Sequence, residues 1–173
     1  SKSLSEGIST FVGGKTPLTK RGRWRWECVK LPQIIYMTEV VSSLVAAHPD
    51  AGRRQLRIVD VGGGQGKLAA HMARELGAAV AEVIVVELGS VNVERGHQRK
   101  ESLQLANLKF LRCDASTDIP SLATPDIVVG LHACGVLSDV ALSLAARHGA
   151  AFCICGCCFM SNSHLLINRQ HQS

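Results

Sequence analysis

From residue 56 onward, short apolar runs rich in β-branched residues alternate with stretches of helical periodicity. The runs predict strands at 56–61, 81–88, 108–113, 126–132 and 150–156, and the stretches between them predict helices at about 67–76, 93–105 and 137–147. Because the strands carry apolar residues on both faces, both faces of the sheet should be buried. The sequence therefore predicts an α/β domain whose parallel sheet is covered by helices on both faces.

The first predicted strand leads into a glycine-rich turn, VDVGGGQGK (59–67). Its glycines allow a sharp turn and a close approach to a ligand at the amino end of the next helix: Gly62, Gly63, Gly64 and Gly66. In a dinucleotide-binding fingerprint the third glycine stands one place later, where this chain has Lys67. Asp60 stands two places before Gly62. The alternative is a turn whose glycines serve only helix–strand packing.

Acidic residues follow the next two strands. Glu87 ends the second strand, where a carboxylate can accept hydrogen bonds from the 2′ and 3′ hydroxyls of a ribose. A surface charge is the alternative interpretation. Asp114 directly follows the third strand, and the residues alone also permit a helix cap or a turn there.

The glycine spacing and Asp60 together resemble motif I of class I methyltransferases. Members of that superfamily are Rossmann-like domains that bind S-adenosyl-L-methionine, and the motif I loop wraps its methionine and ribose parts. By this resemblance, Asp60, the four glycines and Glu87 hold the cofactor, and Asp114 reaches the adenine amino group.

Two later motifs narrow the resemblance. The sequence His132-Ala-Cys-Gly follows the fourth strand, and Cys157-Cys158 follows the fifth. This pair, with VNVERGHQR (91–99), is similar to a branch that includes eukaryotic tRNA ribose-methylating enzymes and the methyltransferase-like domain of glutathione-S-transferase-C-terminal-domain-containing proteins. The resemblance covers about residues 56–159. It implies that His132 contacts the cofactor or shapes the acceptor pocket, with a purely structural histidine as the alternative.

No catalytic residue can be assigned from these motifs. Asp139 is better explained as an early helix residue that the helix dipole favours than as a catalytic acid. Methyl transfer is an in-line displacement, and positioning of the reactants supplies much of its acceleration without a dedicated base.

The net charge of +5 lies entirely in residues 1–30, which hold seven bases and two acids, whereas the remainder is neutral. We expect an irregular basic arm over 1–30, a helix between Pro32 and Pro49, and a cofactor-binding domain over 31–173. The mixture of guanidinium groups and indoles suits RNA, and the predicted RNA-binding residues are Arg21, Arg23, Trp24, Arg25 and Trp26. The alternative is a solvated arm whose tryptophans dock onto the domain itself.

The seven cysteines suit the reduced thiols of an intracellular protein, in the cytoplasm or the mitochondrion. Cys153 and Cys155 would share one face of a strand, roughly 6–7 Å apart. That separation exceeds what two ligands of one zinc ion allow. We therefore predict buried or pocket-lining thiols and no metal site.

Residues 160–173 are too few to form the two strands that end a complete class I sheet, so we expect a sheet truncated after strand five. A protein partner would then cover the edge of that strand. No apolar run in the sequence approaches the roughly 20 residues of a membrane helix.

The predicted function is S-adenosyl-L-methionine-dependent methyl transfer to RNA. The alternative is a methyltransferase-like scaffold subunit of a ribonucleoprotein or assembly complex, with little or no catalysis.

Overall fold

The structure, a computed structural model, describes residues 19–117 and 124–156. Its centre is a sheet of five parallel strands in the order β3-β2-β1-β4-β5. The strands are β1 (Leu56–Val61), β2 (Val80–Glu87), β3 (Leu108–Arg112), β4 (Ile127–Leu131) and β5 (Ala151–Cys155). All five lie within one or two residues of the predicted ranges, and the predicted α/β, Rossmann-like fold is confirmed.

Helices pack on both faces of this sheet, as predicted. They are α1 (Lys20–Arg25), α2 (Leu31–Ala47), α3 (Lys67–Glu75), α4 (Ser90–Ser102) and α5 (Val136–His148). A π-helical turn (Trp26–Lys30) joins α1 to α2, and a short 3-10 turn (Gly77–Ala79) precedes β2. Helices α2 and α3 lie together on one face, and α5 packs against β4 and β5 on the other.

The core lies in two layers because neighbouring side chains of a strand point to opposite faces. Ile58 packs with Val41 and Met72 beneath α2 and α3, whereas the next residue, Val59, packs with Leu144 beneath α5. All five side chains are fully buried. Burying each contributes about 1.5–3 kcal/mol, which explains why these strands are apolar on both faces.

The prediction of an irregular arm is wrong for residues 20–30, which are helical and continuous with α2.

The start of this helix is capped by Thr19, whose hydroxyl accepts a hydrogen bond from the Gly22 amide at 3.1 Å. The amide of Leu31 donates to the carbonyl of Trp26, five residues back. This wider turn immediately precedes Pro32, which has no amide hydrogen to donate. Residues 1–18 lie outside the described part of the chain.

The combined helix Lys20–Ala47 is long enough to cross a membrane, and its mean hydropathy reaches 1.2. Its apolar face nevertheless packs on the domain, where Ile34, Met37, Val41 and Val45 are buried in the core. These residues explain part of the hydropathy, since 28% of the most apolar window of the helix is buried in the domain.

Strand β5 is the last strand that the described residues form, and it pairs with β4 along one side. The predicted truncation after strand five concerns residues 157–173, which lie outside the described ranges. Coverage of the β5 edge by a partner therefore stays a prediction.

Candidate functional site

The turn between β1 and α3 depends on glycine for its shape. Gly62, Gly64 and Gly66 have positive φ angles of 67°, 57° and 68°, a region that side chains with a Cβ rarely adopt. A Cβ on Gly63 would clash with the carboxylate of Asp60, and a Cβ on Gly66 would lie 2.5 Å from Cζ of Phe110. Gly64 has open space around it. The turn therefore packs against β1 at Gly63 and against β3 at Gly66, and at Gly64 it leaves room for a ligand.

Glu87, at the end of β2, is bound to this turn. Its Oε2 accepts a hydrogen bond from the Gly64 amide at 3.0 Å. Its Oε1 accepts from the Gly89 amide at 2.8 Å and from the side-chain amide of Asn92 at 3.3 Å. These bonds hold a partly buried carboxylate beside the glycine turn, at the place where the sequence predicts a ribose acceptor.

Asp60, near the end of β1, is a buried acid. Its side chain is 1% exposed, and neither carboxylate oxygen has a hydrogen-bond partner within residues 19–117 and 124–156. Burial, together with the nearby charge of Glu87, raises the pKa of Asp60 to about 7. An unpaired buried carboxyl group costs stability, so it indicates a ligand that donates to it.

Asp60 lines a cavity of about 310 Å³ at the carboxyl ends of β1 and β4. The other residues around it come from the glycine turn, the amino ends of α3 and α4, the end of β4 and the N-terminal helix: Trp26, Lys30, Ile34, Gly63, Gln65, Lys67, Leu68, Asn92, Leu131 and His132. A larger cavity of about 560 Å³ lies at the opposite end of the sheet, around Leu56. Parallel α/β sheets bind ligands at the carboxyl ends of their strands, so the smaller cavity is the candidate site.

The N-terminal helix forms one wall of this cavity, which the sequence alone did not reveal. The residues of this wall recur every fourth position: Trp26, Lys30 and Ile34. This spacing indicates one face of a helix, and it is visible in the sequence when the helix predicted after Pro32 is extended toward the N-terminus. The ammonium of Lys67 lies over the Trp26 ring, 4.4 Å from its centre. Burial and the charges of Arg99 and Lys30 lower the pKa of Lys67.

Trp26 is therefore not available for RNA. It is 5% exposed, and its indole nitrogen is buried without a partner in the described part of the chain. The prediction that Trp26 binds RNA is wrong, and docking onto the domain, the alternative, is correct for this residue. Trp24 is 61% exposed, and Arg21, Arg23 and Arg25 are also exposed.

His132 directly follows β4 and has a positive φ of 61°, an uncommon conformation for a residue with a side chain. Its amide donates to the carbonyl of Cys155 at 2.8 Å. Its Nε2 lies 2.7 Å from the ammonium of Lys30 and 3.1 Å from Oε1 of Gln33. Because an ammonium can only donate, Nε2 accepts the hydrogen bond from Lys30, and in this neutral ring, with its proton on Nδ1, it cannot also donate to the Gln33 oxygen. Burial and the charge of Lys30 lower the pKa of His132.

Asp114 lies at the end of β3 and does not line the cavity. Its Oδ1 accepts hydrogen bonds from the amide and the hydroxyl of Ser116, at 2.9 and 2.7 Å. These bonds lower the pKa of Asp114 and keep it charged. The geometry is that of a turn aspartate, which the sequence permitted, while its predicted contact with adenine stays a prediction.

Cys153 is partly buried, and burial raises the pKa of its thiol, with a smaller contribution from Cys155. Cys157 and Cys158 lie outside the described residues. The absence of a metal site therefore stays a prediction. Asp139 lies in the first turn of α5, where a negative charge suits the helix dipole.

A parallel sheet of this strand order, an acid at the end of β1, a glycine turn and an acid at the end of β2 define a class I S-adenosyl-L-methionine-dependent methyltransferase domain. The chain belongs to the methyltransferase-domain family, whose profile matches residues 29–163. The solved structure of cofactor-bound Rv0187 from MTB has the same fold. It superposes with a TM-score of 0.58 at 13% identity, over 89% of this chain and 65% of that one.

Two relatives illustrate the sequence similarity. A glutathione S-transferase C-terminal domain-containing protein homolog from Drosophila pseudoobscura is 34% identical over 105 residues, which are 61% of this chain. The tRNA 5-carboxymethoxyuridine methyltransferase of Escherichia coli is 33% identical over 85 residues, which are 49% of this chain and 31% of that protein. The match spans 17% of the length of the Drosophila protein.

Proposed function

We propose that this domain binds S-adenosyl-L-methionine at the glycine turn and transfers its methyl group to an acceptor that lies near His132. The observation that carries the proposal is Glu87, whose carboxylate is held beside the Gly64 amide at 3.0 Å in a domain of the methyltransferase family. A carboxylate at this position accepts hydrogen bonds from vicinal ribose hydroxyls.

The residues present fit this cofactor. Asp60 offers two buried carboxylate oxygens without protein partners in the described ranges, and a cofactor group that donates hydrogen bonds would satisfy them. Gly64 leaves open space where a side chain would stand, so the cofactor can approach the backbone there. Asp114 stays charged at the end of β3 and is the proposed acceptor for the adenine amino group.

When bound, the cofactor supplies a methyl group on a positively charged sulfur. The contribution of the chain is to orient that group and to exclude water, and positioning of this kind accounts for much of the acceleration in a displacement between two bound reactants. Trp26, Ile34 and Leu131 give the cavity its apolar surface. His132 is neutral and lies just after β4, where it can contact the acceptor.

Cofactor binding is tested by calorimetric titration with S-adenosylhomocysteine. Glu87→Gln keeps one acceptor oxygen for the turn but removes the charge, and we expect at least about a tenfold loss of affinity, since hydrogen bonds to charged groups contribute about 1.5–3 kcal/mol. Glu101→Gln, an exposed site on α4, is the matched control. Unchanged affinity in folded Glu87→Gln protein would contradict the proposed cofactor site. Binding without transfer of a radiolabelled methyl group to total RNA would instead favour the scaffold alternative.

We propose RNA as the acceptor class, which the exposed side of α1 supports. Arg21, Trp24 and Arg25 are spaced three and four residues apart, so they share one helix face. All three are exposed, and Arg23 adds a further exposed charge. Guanidinium groups pair with phosphates, and an exposed indole stacks on an unpaired base. The name of the Escherichia coli relative, a tRNA methyltransferase, is consistent with this acceptor class.

RNA binding is tested by the salt dependence of affinity for a fluorescently labelled single-stranded RNA. Replacing Arg21, Arg23 and Arg25 with Ala should weaken binding and flatten the dependence by roughly 0.7 in logarithmic slope for each phosphate that the protein no longer neutralises. Replacing three exposed arginines elsewhere removes the same charge and is the control: Arg53, Arg95 and Arg147. If both triple variants had equal slopes, α1 would not be the RNA-binding surface.

A further inference from the structure

The surroundings of His132 include a hydrogen-bond acceptor that the neutral ring cannot use. Its Nε2 lies 3.1 Å from Oε1 of Gln33, and an amide oxygen only accepts hydrogen bonds. The lone pair of Nε2 is already occupied by the ammonium of Lys30, at 2.7 Å. Turning the Gln33 amide over would bring a second donor to the same lone pair, so it would not remove the mismatch. The contact with Gln33 is satisfied only when Nε2 carries a proton.

The two partners of Nε2 therefore suit two protonation states of the ring. Lys30 donates and stabilises neutral His132, and burial together with the charge of Lys30 lowers the pKa of His132. Gln33 accepts and stabilises the imidazolium, in which both ring nitrogens are donors. Both partners are partly buried and stand three positions apart on the N-terminal helix, so they reach the same ring atom. A histidine held in this way can take up a proton and release it.

The backbone places this ring at the candidate cofactor site. His132 has a positive φ of 61°, and its amide donates to the carbonyl of Cys155 at 2.8 Å. It lines the same cavity as Asp60 and Gly63. The ammonium of Lys30 stands where an O–H or N–H donor of a methyl acceptor would meet Nε2. Because this ammonium lies at the end of a long, flexible side chain, an acceptor can displace it.

We propose that His132 is the base that removes the proton from the methyl acceptor, that Gln33 is the positioning residue that stabilises the resulting imidazolium, and that Lys30 occupies the place of the acceptor until the acceptor binds. The inference rests on the proposed function, because it needs the cofactor in the same cavity. It gives the buried side of the N-terminal helix a role in the reaction itself.

The proposed step balances in atoms and charge. The acceptor oxygen or nitrogen forms a bond to the methyl carbon while the bond from that carbon to sulfur breaks, and the electron pair of the broken bond stays on sulfur. The proton of the acceptor atom passes to Nε2 of His132, which then donates to Oε1 of Gln33. The positive charge thus moves from sulfur to the ring.

The pKa of His132 reports the two partners without any substrate, and NMR across pH measures it. The charged and titratable groups near the ring come from four elements: Lys30 on the N-terminal helix, Asp60 on β1, Lys67 on α3 and Cys155 on β5. Gln33→Met keeps the length of the side chain and removes the acceptor. It should lower the pKa of His132 by about one pH unit or more, because a hydrogen bond to a charged group is lost.

Two further variants should move this pKa in the opposite direction. Gln33→Glu puts a carboxylate beside Nε2 and should raise the pKa of His132, and Lys30→Met should raise it by removing the donor and its charge. Gln98→Met, at an exposed site on α4, is the matched control and should leave the pKa unchanged. A pKa of His132 that stays the same in Gln33→Met would overturn the role of Gln33.

The second readout is the pH dependence of methyl transfer to total RNA at saturating cofactor. The rate should rise with pH up to the pKa of His132 in each variant and then level off, because only the neutral ring accepts a proton. His132→Asn, which tolerates the positive φ, should lose about a hundredfold or more in rate. Its affinity for S-adenosylhomocysteine should stay within about twofold of wild type, since the base contacts the acceptor and not the cofactor.

The outcomes separate this inference from the proposed function. A wild-type transfer rate in His132→Asn would overturn the base. Wild-type chain that binds S-adenosylhomocysteine but transfers no methyl group would also overturn the base, while the cofactor site would stand. Failure of the wild-type chain to bind S-adenosylhomocysteine would refute the proposed function itself.

Discussion

Replacing Asp60 with Asn should stabilise the fold at neutral and alkaline pH while weakening cofactor binding. The folded state holds a proton on Asp60 up to a pKa of about 7, compared with an ordinary value of 3.8. Between these two values the unfolded chain binds fewer protons than the folded chain, so stability falls as pH rises from about 4 to 7. The Asn side chain has nearly the same shape and carries no charge at any of these pH values.

The expected change in the free energy of unfolding follows from the folded and unfolded pKa values of Asp60. The raised pKa of Asp60 lowers the free energy of unfolding by about 4 kcal/mol at pH 8 and by about 1.7 kcal/mol at pH 5. A buried amide without partners costs about 1–3 kcal/mol of its own, which reduces the net gain. That cost is the same at both pH values. The advantage of Asp60→Asn over the wild type should therefore grow by about 2.5 kcal/mol between pH 5 and pH 8.

Urea unfolding of both proteins at pH 5 and pH 8, followed by circular dichroism, measures this difference. S-adenosylhomocysteine titrations on the same samples measure the expected loss of affinity. An advantage that does not change with pH would show that Asp60 is solvated or paired in solution, and the argument from its unpaired carboxylate would then be refuted.

Four further outcomes are expected. Gly66→Ala should lower the free energy of unfolding by about 2–4 kcal/mol, because the added methyl group would contact Phe110 and the backbone φ at this position is positive. Gly64→Ala adds no such contact and should cost only about 1–2 kcal/mol of backbone strain in the same urea assay. His132→Val should be less stable than His132→Asn, since Asn tolerates a positive φ. Trp24→Ala should weaken RNA binding without changing its salt slope, because stacking releases no counterions. Wild-type affinity for S-adenosylhomocysteine should fall below pH 7 by up to tenfold per pH unit as Asp60 is protonated, and Asp60→Asn should show no such fall.

The amino-acid sequence by itself determined the strands, their parallel arrangement and the glycine turn. These features depend on local chemistry. β-Branched runs such as LRIVDV and AEVIVVEL form strands wherever both faces are buried, and the positive φ angles at Gly62, Gly64 and Gly66 require glycine. The position of Glu87 at the end of a strand was also predictable, because that strand follows directly from its composition.

The partners of the site residues were decided only by the tertiary structure. The basic segment before Pro32 lacks a continuous apolar stripe, so its helix was missed, and Trp26 was assigned to RNA when it lies in the wall of the cavity. The contact between Lys30 and His132 joins residues 102 positions apart, which no local pattern encodes. The raised pKa of Asp60 likewise arises from burial beneath the glycine turn and from the charge of Glu87. Burial and electrostatic coupling depend on which elements pack together, so they exist only once the chain has folded.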